Sequence, residues 1–301
     1  LQEALQDMRD GVDYPALEAA IAAGDVDAAI KALDIEQGSF APYIAAAMVL
    51  YMRTGAEAAR GYRIRFDATD PVDFRLDLST KVAAMTDEQV QKARAYVYDG
   101  YSAGKSRREI AQGLAGRIVR GKRQGGVIGL SGAQQSWVGK MRERLESGDP
   151  QELRAVLTAK ERDKRYDRTI KVAIRDGKRI PTDKIDEITG KYADRLLRKR
   201  AKDIATNEAT QFAAGARADA VRQALAKLGG VATKTWHHSS IYINARPDHV
   251  GMSGTTVAFD ANFIMADGTP MRYAHDPRGG ARHNSHCRCR TSYSIERDGV
   301  K

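Results

Sequence analysis

All six histidines and both cysteines of the chain fall between His237 and Cys289, and the series closes with His283, His286, Cys287 and Cys289. Imidazole and thiolate are the side chains that bind zinc-like ions and carry nucleophilic or acid–base chemistry. The chain before His237 has neither type, so chemistry is expected after it and a scaffold before it.

Cys287 and Cys289 stand at i and i+2, a spacing that puts both thiols on one face of a strand. His249, framed by Arg246-Pro-Asp, can bring an imidazole to them from a loop. This set predicts a structural Zn²⁺ on His249, Cys287 and Cys289, with Asp248, His275, His283 or His286 completing four ligands. The spacing differs from the Cys-x₂₋₄-Cys common in zinc sites. The competing reading makes the two cysteines small buried hydrophobes and gives His249 a backbone carbonyl as partner. Cysteines one residue apart do not readily bridge each other, which favours thiols or a metal in a reducing compartment.

Two enzymatic arrangements use the same residues. His237 and His238, with Asn262 or Asn284 and a later histidine, are the ingredients of a His-Asn-His metal nuclease, in which an imidazole activates water beside a divalent ion. Nothing between His275 and Cys289 reads as the helix such a site needs. Arg288 and Arg290 would lower a neighbouring thiolate pKa, yet at alternate positions they read more simply as solvent-facing charges opposite the cysteines. Gly125 to Gly132 is glycine-rich but lacks the Gly-Lys-Ser/Thr ending of a phosphate loop. Glu208 reads as a packed or ion-paired residue, and Trp236 and Phe263 as core anchors.

The elements that must position these residues come in two kinds. Helix signals dominate to about residue 228. Pro15 to Gly24 and Asp25 to Leu33 read as two short helices, with Gly24 closing one and Asp25 capping the next. Thr86-Asp-Glu-Gln89, Ser106-Arg-Arg-Glu109 and Ser131-Gly-Ala-Gln134 share the capping-box spacing and predict three helix starts. Arg117 to Gly126 lacks an apolar period and reads as a mobile or partner-ordered loop. From Thr182 to Leu228 one long helical pattern runs, with bends expected at Gly190 or Gly215, until Gly229-Gly230 ends it. Beyond it, Val231–Trp236, Thr255–Phe259 and Arg290–Ile295 alternate like strands. The expected class is α+β: an extended, mainly helical body followed by a small β-containing C-terminal domain. The expected segments are an acidic helical region over 1–100, a basic helical body over 101–229, and a small His/Cys domain over 230–301.

Charge follows the same division. The formal net charge is +10, but residues 1–60 carry 4 basic against 10 acidic side chains and residues 101–202 carry 27 against 13. Such a block attracts polyanions by releasing their counterions, and Arg117, Arg120, Lys122 and Arg123 are the expected non-specific contacts to DNA. Interspersed acids such as Glu143, Glu146 and Asp163 equally suit a solvated helical surface. No apolar run reaches the roughly 18 residues of a membrane span, and the first residues lack the basic-then-apolar order of a signal peptide. No membrane partner is expected.

The ordered landmarks Ile204-Ala-Thr-Asn-Glu208, Trp236, Arg246-Pro-Asp-His249, Ser253-Gly254, Phe263, Tyr273-Ala-His-Asp-Pro277 and His286-Cys-Arg-Cys289 resemble the C-terminal domain of the phage Mu protein F-like minor head proteins. Phe66-Asp-Ala-Thr-Asp-Pro71, Ile128-Gly-Leu-Ser-Gly-Ala-Gln134 and Arg165-Tyr-Asp-Arg168 extend the resemblance over residues 60 to 295. It implies a head morphogenesis protein of a tailed phage, without enzymatic turnover. Such a protein is made in the bacterial cytoplasm, resides in the virion head, and works beside portal and capsid proteins and packaged DNA. The alternative class is a metal-dependent nuclease or a toxin-like effector carried in the particle.

Overall fold

The computed structural model describes residues 1–35, 37–67, 72–119, 122–239 and 245–296. The fold is α+β: a helical body with small sheets of two or three strands, mostly toward the C-terminal end. The chain divides into two compact units, residues 1–42 with 80–202 and residues 43–79 with 203–301. These units cut across the three segments expected from sequence. The division is set by packing, and the helices Val72–Ser102 and Thr182–Leu228 each run from one unit into the other.

The first unit is built from capped helices. Asp13 accepts from Ala16 N to open Tyr14–Ala23, Gly24 closes it in the left-handed region at φ 74°, and Asp25 accepts from Ala28 N to open Val26–Ala32. The boxes at Ser106 and Ser131 form in full, each serine bonded to the backbone three residues on and each Glu109 or Gln134 side chain reaching back. Thr86 is a correction. It lies inside the helix Val72–Ser102, where its hydroxyl donates to the Val82 carbonyl at 3.0 Å, a back-bond to i−4. Gln89, the box's other half, is buried and spans the turn at Gly129 and Leu130, accepting from one amide and donating to the next carbonyl.

Arg117 to Gly126 is a second correction. Strands β1 (Arg117–Val119) and β2 (Lys122–Gln124) pair antiparallel as a hairpin. The hairpin's exit is pinned: Asp194 accepts from Gly125 N at 3.1 Å and from the buried Arg9 at 2.7 Å, and Arg9 donates to the Gly125 carbonyl. A Cβ on Gly125 would stand 2.9 Å from the Gly190 backbone, so these two glycines are where the hairpin meets the long helix. The close approach falls on Gly125, since a Cβ on Gly190 would come no nearer than 3.6 Å to its neighbours.

In the second unit β3 (Val231–His237) is the centre of a three-stranded antiparallel sheet. It pairs with β4 (Thr256–Ala258) on one side and β7 (Arg290–Glu296) on the other. A two-stranded ribbon, β5 (Phe263–Ile264) with β6 (Pro270–Met271), lies in the chain between β4 and β7. Alternation buries one face: Trp236, Phe263, Met265, Met271, Ala274, Cys287 and Cys289 form one apolar cluster, with Met252 and Val257 packed on it. At roughly 25 cal/mol per Å² of apolar surface removed from water, burying these large side chains is what holds so small a sheet together.

Candidate metal centre

His249 is carried by the short helix Pro247–Gly251, which Pro247 starts at the position where a missing amide costs nothing. This replaces the loop expected there. Its imidazole is buried and meets Trp236 edge-on, ring centroids 5.6 Å apart. Cys287 and Cys289 lie just before β7 and not within a strand. Alternation still holds, because both cysteines are buried while Arg288 and Arg290 are exposed.

The three residues converge as a single group. His249 Nδ1 lies 3.4 Å from Cys287 Sγ and 3.4 Å from Cys289 Sγ, and His249, Cys287 and Cys289 form a cluster able to hold a metal ion. A tetrahedral ion with Zn–S of about 2.3 Å and Zn–N of about 2.0–2.1 Å separates N from S by about 3.5 Å, so the spacing fits. A cavity of about 70 Å³ opens beside them, lined also by Arg246 and His286. The thiols shift in opposite directions. A hydrogen bond from Cys289, with help from His249 and His275 and against the cost of burial, draws Cys287 far below the usual thiol range. The same contact, together with burial, holds Cys289 protonated. A site that already favours one thiolate is prepared for a cation.

The backbone that delivers the cysteines is constrained. His286, immediately before Cys287, sits at φ 54°, in the left-handed region that a non-glycine residue enters only when its surroundings hold it there. Its amide donates to Asn207 Oδ1 of the long helix at 3.1 Å. His275 also lies in the left-handed region, at φ 69°. The fully buried Asp276 beside it accepts from the backbone and guanidinium of Arg272 and from Arg278 N.

Behind His249 runs a second group. Its Nε2 lies 3.2 Å from His283 Nδ1, and His283 Nε2 lies 3.1 Å from Asp267 Oδ2. Hydrogen bonds from Thr269, and then from His283, hold the Asp267 carboxyl far below the usual range. Asp248, His249 and His283 are close enough to make an alternative metal group. His249 offers a different nitrogen to each set, and the sulfur-rich side is the one suited to a soft ion.

No protein-family model, curated protein or solved structure matches the chain.

The other expected residues are placed as follows. His237 Nε2 bonds Ser292 Oγ across the sheet, and Asn284 Nδ2 donates to the Asp276 carbonyl. The stretch between His275 and Cys289 does contain a helix, Gly280–Asn284, which carries His283, contrary to the expectation. Among the basic residues, Arg117 is ion-paired with Asp186 at 3.0 Å and Arg123 lies over the Tyr14 ring. Lys122 belongs to β2, and Arg120 lies outside the described residues. His283 and Asp267 as a pair behind His249 were not foreseen. The only signal for Asp267 was its place in the turn before β6.

Proposed function

We propose that the chain is a minor head morphogenesis protein of a tailed phage whose C-terminal unit is fastened by a structural zinc ion. The observation that carries this reading is convergence. Three of the landmarks behind the resemblance, Arg246-Pro-Asp-His249, Tyr273-Ala-His-Asp-Pro277 and His286-Cys-Arg-Cys289, meet around Trp236: His249 packs on its ring, and Ala274, Cys287 and Cys289 share its apolar cluster. Residues far apart in sequence thus serve a common fastening, as expected of a module kept for its shape.

His249 Nδ1, Cys287 and Cys289 would hold the ion, while His275 stands outside that group with its Nε2 bonded to the Cys289 carbonyl. The chain's partners are then portal and capsid proteins and packaged DNA, with Arg117, Arg120, Lys122 and Arg123 meeting phosphate.

The test is to produce particles carrying Cys287→Ser. Wild-type particles should contain the protein in few copies, and the variant should be lost from the head or leave DNA packaging impaired. Purified protein that cuts DNA with Mg²⁺, Mn²⁺ or Zn²⁺, and loses the activity in His249→Ala, would favour the nuclease reading instead.

A further inference from the structure

The first unit holds a cleft of about 730 Å³ between the helices Tyr14–Ala23 and Arg107–Ala115 and the hairpin β1–β2. Ligand clefts span roughly 300–1,000 Å³, so this one is far larger than a lone phosphate requires. Arg107, Arg108, Arg117 and Arg123 line it, against one lining carboxylate, Glu18. Arg117 is already neutralised by Asp186. Arg107 and Arg108 are exposed and have no ion pair among the described residues.

Arg123 is the decisive residue. Its guanidinium sits 5.6 Å from the centroid of the Tyr14 ring, and its Nη1 is buried without a hydrogen-bond partner. A cationic donor removed from water costs free energy unless an acceptor meets it. Here the fold leaves that acceptor to a ligand. Tyr14, Pro15 and the exposed Ile118 give the cleft an apolar wall beside its cations. The combination suits an anion mounted on an organic body better than a simple oxyanion.

We propose that this cleft binds a nucleotide unit, its phosphate on Arg107, Arg108 and Arg123 and its body against Tyr14, Pro15 and Ile118. The unit can come from a nucleic-acid strand or from a free nucleotide, since the recognising chemistry is shared. The proposal deepens the DNA contact suggested above, yet it is independent of the metal and of particle assembly.

The experiment is fluorescence anisotropy of the full chain with a labelled oligothymidylate, with ATP and inorganic phosphate as competitors. Arg107→Gln/Arg108→Gln and Arg123→Gln are compared with Lys171→Gln/Lys178→Gln, which removes two exposed charges from the same unit. A charge-assisted hydrogen bond contributes about 1.5–3 kcal/mol, so each cleft variant should weaken binding roughly tenfold or more. The lysine control should change it less than twofold. The doubly exposed arginine variant leaves the core intact, which separates lost binding from lost folding. Displacement by ATP would identify a free nucleotide as a competent source; binding of the oligothymidylate alone would identify a strand. The proposal is overturned if neither probe binds, if inorganic phosphate displaces the strand as well as ATP does, or if the lysine control loses as much as the cleft variants. Such a failure leaves the metal content and head incorporation of Cys287→Ser untouched, so it is distinguishable from failure of the assembly reading.

Discussion

The imidazoles of His249 and His283 lie stacked 5.5 Å apart at 14°, with His249 Nε2 3.2 Å from His283 Nδ1. This contact orders protons over a distance. An ion on His249 Nδ1 leaves Nε2 as the donor, so His283 accepts on Nδ1 and donates from Nε2 to Asp267. Every nitrogen in the chain then has one role, which is the arrangement that orients metal-bound histidine and raises its basicity.

Asp267→Asn and His283→Gln should therefore weaken zinc binding without removing a ligand. Outer partners of this kind typically cost about 10–100-fold in affinity. Competition against a chromophoric chelator would measure it. Unchanged affinity in both variants would reduce the His283 chain to packing.

Glu208 gives a pH signature separate from the metal. Burial raises its carboxyl from 4.5 to about 7. The folded chain keeps a proton that the unfolded chain has released, so the stability contributed by neutral Glu208 is complete below about pH 4.5 and is lost as pH rises through about 7. Glu208→Gln cannot ionise. Its Tm should gain on that of the wild type between pH 5 and 8, and a constant difference across that range would contradict the assignment.

How much of this was legible in the sequence depended on whether the signal was local. Ser106, Ser131, Asp13 and Asp25 announce helix starts because a cap is completed within three residues. The alternation around Trp236 and before Ile295 announces strands, since one face is buried and the other is not. Thr86 has the same local spacing as Ser106, but packing runs the helix through it and turns its hydroxyl to Val82. The hairpin at Arg117 was hidden because its order comes from Arg9 and Asp194, both distant in sequence. Composition placed His249, Cys287 and Cys289 in one set, since those residue types occur nowhere else. Asp267 was invisible because an aspartate in a Gly-containing turn is ordinary turn chemistry.

Gly125→Ala tests the hairpin's seat. At φ 76° an L side chain is strained, and the new methyl would meet the Gly190 backbone at 2.9 Å. Destabilisation of about 1 kcal/mol or more is expected by urea denaturation. Gly177→Ala, also at positive φ but with nothing within 4 Å, should cost less. Equal costs would remove the contact from the explanation.

The central claim is a metal centre on His249, Cys287 and Cys289, and zinc K-edge X-ray absorption on the purified full chain tests it most directly. About one zinc per chain is expected, with two sulfur ligands at about 2.3 Å and nitrogen at about 2.0–2.1 Å. A folded protein free of metal, or a zinc surrounded by oxygen with no sulfur shell, would contradict it.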